Sequence, residues 1–135
     1  MTTNPIDGAA EFFFKAAQAG DQGIPLPNDL MPPDADAAYQ VQDRLQKMWI
    51  DAGAGAIVGW KVALTSKVMQ ELLGVARPCE GAIFASRVHH GDVTVAHGDF
   101  VNIGVESEIA VRIAHDLPAT GTPYDQDNIR PGVAA

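Results

Sequence analysis

The apolar positions divide the chain into segments of different period. Residues 7 to 19 hold "AAEFFFKAAQA", rich in helix formers, with Asp7 as a candidate N-cap and Gly20 just past the end. "GIPLPNDLMPP" (23 to 33) is a proline-rich connector that cannot be helical throughout, though Leu26, Leu30 and Met31 are placed to pack on a core. Asp34 then precedes "ADAAYQVQDRLQKMWIDAG", where Ala38, Val41, Leu45, Met48 and Trp49 follow helical spacing and form one apolar stripe. Gly53 and Gly55 end that helix. From residue 56 the period shortens. "AIVGWKVAL" (56 to 64) reads as a strand weakened at Gly59. "TSKVMQELLG" (65 to 74) reads as a short helix capped by Thr65 or Ser66, and "GAIFA" (81 to 85) and "DVTVA" (92 to 96) read as strands. "GVESEIAVRIA" (104 to 114) is the longest strand candidate. The tail from Asp116 is rich in proline and glycine, with a capped turn or helix start at "TPYDQDNI" that Pro131 interrupts.

This order predicts an α+β chain. N-terminal helices occupy residues 1–55, and part of a mixed β-sheet follows over 56–135. The sheet so counted is small and its longest strand comes late, so the core is expected to be incomplete within these residues.

In the last strand candidate, alternation puts Val105, Ser107, Ile109, Val111 and Ile113 on one face, expected to be the core face. The other face carries Glu106, Glu108, Ala110 and Arg112. Two carboxylates on one strand face, about 7 Å apart, repel unless water or a cation screens them. On spacing alone the plainer reading is a solvent face ending in Arg112. A hard divalent cation such as Mg²⁺ or Mn²⁺, which takes oxygen ligands, is the alternative. Two carboxylates do not fill such an ion's shell.

Composition narrows the partners. The 135 residues are enough for one domain, with 47% apolar and 19% charged residues. Seventeen acidic against nine basic residues give a formal net charge of −8. No basic block occurs, so nucleic acid and anionic membranes are poor partners and a cation is a better one. The single cysteine, Cys79, excludes an intrachain disulfide and fits a reducing compartment. No signal-like N-terminus and no membrane-spanning apolar run are visible, so the expectation is a cytoplasmic protein.

Other chemistry-bearing residues are sparse. Lys61 falls inside an apolar strand, where a lysine serves as an acid–base group or snorkels from an edge. Thr65 and Ser66 are helix caps by default, at a helix start that also suits a substrate carboxylate. His89 and His90 look like turn residues. His97 and His115 lack partners at ligand spacing, and Cys79 reads as a small, partly buried thiol. The chain has no GxxxxGK[ST], GxGxxG or GxSxG motif.

Taken in order, "GWKVALTSKVMQELLGVARPCEGAIF" and "VESEIAVRIAHDLP" resemble the 2-keto-4-pentenoate hydratase branch of the fumarylacetoacetate hydrolase superfamily. The resemblance runs from about Tyr39 to Tyr124 and rests on the ordered elements G-W-K, L-T-S, M-Q, L-G-V and G-V-E-S-E-I-A. It implies a mixed β-sheet roll flanked by helices, with Mg²⁺ or Mn²⁺ at its mouth. It implies Glu106 and Glu108 as metal ligands and Lys61 as an acid–base or substrate-orienting group. The implied substrates are small 2-oxo or 2-hydroxy-dienoic acids of aromatic catabolism, hydrated to 4-hydroxy-2-oxo acids. The sister activity is decarboxylation of a 2-oxo-3-hexenedioate. Where some relatives carry an acid shortly after the loop proline, this chain has Cys79 followed by Glu80, which makes Glu80 the candidate proton-transfer group. The resemblance also implies homo-oligomers, a chain roughly twice this length and a third acidic ligand beyond residue 135. A non-enzymatic fragment is therefore a further expectation to set beside the two enzymes.

Overall fold

The computed structural model describes residues 4–21, 23–119 and 121–134. It is α+β, with three α-helices and a two-stranded antiparallel sheet among the described residues. Two compact units are present, Met1–Asn102 and Ile103–Ala135.

In the first unit, α1 spans Pro5–Gln18 and α2 spans Ala35–Trp49. The cap of α1 is Asn4 rather than Asp7: the Asn4 Oδ1 accepts from the Ile6 N–H at 3.1 Å, with Pro5 following as the first helical residue. A proline there has its φ already set and no N–H to lose, so it fixes the start three residues ahead of Asp7. Asp7 instead lies in the first turn and takes a 2.7 Å ion pair from Arg44 Nε of α2. Asp34 caps α2 as its spacing predicts, its Oδ1 accepting from the Ala37 N–H at 2.8 Å. The helix continues into a π turn over Ile50–Ala54, which Gly53 ends at a φ of 96°.

The core of this unit lies between α1 and α2. Ala9, Ala10 and Val41 are buried, with Ile6, Leu26, Leu30, Leu45 and Met48 packed around them. Small residues on α1 let the helices approach closely. Gly8 has the same role toward the connector, since a Cβ there would lie 2.8 Å from Leu30 Cδ2. Phe14 and Trp49 pack as a tilted pair, with ring centroids 4.7 Å apart and planes at 60°. Two members of the expected apolar set stay out: Ala38 and Met31 are exposed.

Strand β1 spans Ile57–Ala63 and β2 spans Cys79–Phe84, joined through α3 at Lys67–Leu73. The register runs from Gly59↔Ile83 to Ala63↔Cys79, with an irregularity between Ile57 and Gly59. β2 begins two residues before the apolar run "GAIFA" because Cys79 and Glu80 are already paired with Ala63 and Val62.

Two expected strands are not formed. Residues 92–96 make no ladder, and neither do 104–112; Ile113 forms one isolated bridge, to Val133. The expected core face of the second segment is exposed, Val105 by 94% and Ile109 by 95%. Alternation describes how a strand divides its side chains, but a strand persists only against a neighbour that takes its N–H and C=O groups. The second unit offers these residues only Gly132 to Ala134. There Ala114 N–H donates to Gly132 O at 2.7 Å and Ala134 N–H donates to Arg112 O at 2.8 Å. The tail forms a turn rather than a helix: Asp125 Oδ1 accepts from the N–H groups of Asp127 and Asn128, and Pro131 lies in a short 3₁₀ turn.

Candidate functional site

The residues singled out by sequence fall in both units. In the first, β1 carries Lys61 and ends in an unusual turn. Leu64 adopts a left-handed backbone with φ of 57°, the one non-glycine residue to do so among the described residues. Such a conformation costs a side-chain-bearing residue on the order of 1 kcal/mol and persists only where its surroundings hold it. Gln70 of α3 does so, its Nε2 donating to Leu64 O at 2.8 Å in a part-buried contact. The chain then reverses through Thr65 into Ser66, whose Oγ accepts from the Met69 N–H at 3.3 Å and caps α3. Ser66 is thus the cap of the pair; Thr65 sits at the turn, exposed. Gly74 closes α3 at a φ of 66°, where its lack of a Cβ is required.

Lys61 stands opposite Gly81 and Val62 opposite Glu80. Directly opposed residues share a face and successive residues alternate. Lys61 therefore lies on the face of Gly81 and Cys79, and Glu80 lies on the other face, with Val62 and Ala82. The ribbon does not bring Lys61 and Glu80 together as an acid–base pair. Both are exposed. The Glu80 backbone is anchored from α2, where Gln42 Nε2 donates to Glu80 O at 2.8 Å. Beside this bond a cavity of about 250 Å³ is lined by Tyr39, Gln42, Val75, Arg77 and Cys79. The Arg77 guanidinium lies 5.4 Å from the Tyr39 ring centroid and 3.7 Å from an Asp36 carboxylate oxygen. Cys79 is a free, partly buried thiol, as expected.

In the second unit Glu106 and Glu108 are both exposed, on the stretch that forms no ladder. Their chemistry fits a hard cation, since both offer carboxylate oxygens. Their number does not complete a site: no group of three His, Cys, Asp or Glu able to hold a metal occurs among the described residues. No described helix is long and apolar enough to cross a membrane.

Sequence reasoning assigned no role to Gln42, Leu64 or Gln70. Gln70 was within reach, because it belongs to the M-Q element of the ordered motifs. A left-handed leucine leaves no mark in sequence, and Gln42 looks like any polar residue on a helix.

No family model and no solved structure matches the chain. Curated proteins do. The TodF product hydratase of Pseudomonas putida is 33% identical over 115 residues, which is 85% of this chain and 42% of that protein. The 2-keto-4-pentenoate hydratase 1 of Dechloromonas aromatica is 37% identical over 110 residues, 81% of this chain and 41% of its own length. The 2-keto-4-pentenoate hydratase of Paraburkholderia xenovorans is 32% identical over 127 residues, 94% and 46% respectively. The chain spans less than half the length of these relatives. Along the matched residues, which are most of its own, the chain belongs to the 2-keto-4-pentenoate hydratase family.

Proposed function

We propose that this chain supplies one part of a hydratase that adds water to 2-hydroxypenta-2,4-dienoate-type acids and yields 4-hydroxy-2-oxo acids. The observation that carries the reading is identity of 32–37% to proteins named as 2-keto-4-pentenoate hydratases, across 81% or more of the chain. The chemistry of the site residues agrees with it. Adding water to a dienoic acid needs a proton delivered to carbon and a place for the charge that develops on the 2-oxygen. Lys61, within β1 and three residues before Leu64, whose carbonyl Gln70 holds, is assigned the proton exchange. Ser66 serves the turn through its cap, and Thr65 beside it is assigned a contact to the substrate carboxylate. Glu106 and Glu108 are assigned as two carboxylate ligands of Mg²⁺ or Mn²⁺. When bound, such an ion would supply positive charge at the substrate's 2-oxygen. Glu80 faces away from Lys61 on the ribbon, so a proton it moves reaches the substrate from a different side.

The test joins this chain to the remaining part of the Dechloromonas aromatica relative and follows loss of dienol absorbance from 2-hydroxypenta-2,4-dienoate with added Mg²⁺ or Mn²⁺. Hydration is expected, with a fall in kcat of about 10²-fold or more in Lys61→Met. Glu106→Gln and Glu108→Gln should each weaken Mn²⁺ binding as read by electron paramagnetic resonance. Release of CO₂ from a 2-oxo-3-hexenedioate without hydration of the dienoate would replace the hydratase with the decarboxylase. Full activity in both glutamate variants would remove the metal assignment.

A further inference from the structure

We infer that Gln70 is a positioning residue for the substrate's carboxylate. Through its hydrogen bond to Leu64 O it fixes the Leu64–Thr65 peptide, and so aims the Thr65 N–H at the carboxylate of a small 2-oxo or 2-hydroxy-dienoic acid. The inference rests on the proposed reaction, in which Thr65 meets that carboxylate. It adds the donor atom and the residue that orients it.

The turn between β1 and α3 is unlike the other turns of the chain. Leu64 has a φ of 57°, and every other described residue with a positive φ is glycine, Gly53 and Gly74 among them. Glycine at 64 would make the same turn without strain. It would also leave the peptide that follows it freer to rotate. Leucine, here partly buried, has far fewer backbone conformations open to it. Strain of this kind persists only where the surroundings hold it, and it gathers at binding and catalytic sites.

The hold has a direction. Gln70 Nε2 donates to Leu64 O at 2.8 Å in a part-buried contact. Gln70 is itself anchored on both sides: its N–H donates to Ser66 O at 3.1 Å, and its C=O accepts from the Val75 N–H at 2.9 Å. The Leu64–Thr65 peptide is trans. In a planar trans peptide the C=O and the N–H point opposite ways. With Leu64 O turned to Gln70, the Thr65 N–H is turned away from it. That N–H has no hydrogen-bond partner among the described residues, and Thr65 is exposed. β1 ends at Ala63 and α3 begins at Lys67, so neither the ladder nor the helix uses this donor. A backbone donor held in one orientation suits a carboxylate oxygen, because nothing need be ordered when the ligand arrives. Lys61 lies four residues earlier on paired β1, so loss of the Gln70 bond should act on carboxylate binding and not on the proton exchange.

The experiment uses this chain joined to the remaining part of the Dechloromonas aromatica relative. The probe is 2-oxopentanoate, a saturated 2-oxo acid that cannot be hydrated. Its binding is followed at the Thr65 amide by nuclear magnetic resonance with isotopically labelled threonine, the signal being assigned by its loss in Thr65→Ser. The Thr65 amide is expected to shift on saturation. Gln70→Met keeps the side-chain length and removes the donor, and it should raise the midpoint about tenfold or more. In hydration assays the same variant should raise KM for 2-hydroxypenta-2,4-dienoate about tenfold and leave kcat within about twofold. Lost packing alone would lower the folded fraction, and with it the apparent kcat, at unchanged KM. Gln70→Met combined with Leu64→Gly should regain thermal stability while KM stays high, since the strain is removed and the orientation is not restored. A Thr65 amide that ignores saturating 2-oxopentanoate overturns the inference. So does an unchanged midpoint and KM in Gln70→Met, or a KM that Leu64→Gly restores. A protein that binds 2-oxopentanoate at Thr65 and hydrates nothing refutes the proposed reaction instead, and the titration of Gln70→Met still decides the role of Gln70.

Discussion

The same substitution at two valines measures how much of this chain has a core. Val41 lies between α1 and α2 and is 5% exposed; Val105 is 94% exposed. Val41→Ala removes two methyl groups from a packed site. At about 0.8 kcal/mol per buried carbon the transfer loss is about 1.6 kcal/mol. Incomplete collapse of the space left behind raises this to about 2 kcal/mol. Val105→Ala removes the same atoms from water and should cost less than about 0.5 kcal/mol. Urea denaturation of the chain followed by helical circular dichroism reads both. With a slope of about 2 kcal/mol per molar, Val41→Ala should lower the midpoint by about 1 M and Val105→Ala by less than about 0.3 M. Once the remainder of the fold is joined to the chain, an exposed β-former in a matched segment gains neighbours, and Val105→Ala should then approach the Val41→Ala cost. Equal losses for the two valines in the chain alone would refute the reasoning, because Val105 would then already be buried.

Smaller effects follow from single hydrogen bonds. Ser66→Ala removes the cap of α3 and should cost about 1 kcal/mol, whereas Thr65→Ala should cost less; thermal melts of both variants separate the two candidate caps. Asn4→Ala should likewise cost about 1 kcal/mol, read by the same melts, and more than Asp7→Asn, which keeps a polar group in an ion pair that is about half exposed. Gln70→Ala leaves Leu64 O without its side-chain donor. A loss of about 1 kcal/mol is expected, and Leu64→Gly in that background should recover part of it by removing the left-handed strain, as read by urea midpoints.

The helical half could be read from sequence because its determinants are local. Asp34 lies next to the run it caps, the Val41–Leu45–Met48 stripe needs only one partner helix, and Gly53 and Gly74 mark positions that a left-handed backbone reserves for glycine. At the N-terminus the sequence points to Asp7 as the cap while Asn4 takes that place, for an equally local reason: Pro5 is a better start signal than an acid three residues into the helix. Strand prediction failed where the determinant is remote. "DVTVA" and "GVESEIAVRI" carry the alternation of strands, yet a ladder needs a partner, and the described residues supply only Val133 for Ile113. The alternation in these segments is therefore not matched by pairing among the described residues. The ordered motifs could be recognised despite this, because they are a property of sequence and not of pairing.

That contrast bears directly on Lys61 and the two glutamates. Lys61 is held by structure already present: β1 is paired, Leu64 is fixed by Gln70, and Ser66 closes the turn. Glu106 and Glu108 are on a segment whose apolar neighbours Val105 and Ile109 are almost fully in water. Their spacing along a strand, and hence their fitness to share an ion, depends on that segment acquiring a ladder. On the proposed metal assignment, ion binding and strand formation would be coupled. An ion that binds the ordered segment more tightly than the unladdered one stabilises the order by the same free energy. Mn²⁺ should accordingly bind the isolated chain much more weakly than the completed fold. Addition of the remaining polypeptide should raise its affinity at least tenfold, and Val105→Asp, which leaves both carboxylates intact, should reduce that gain. Isothermal titration of Mn²⁺ into the two forms decides it. Equal affinity in the isolated and completed proteins would mean that the carboxylates are already placed, and the coupling would be wrong.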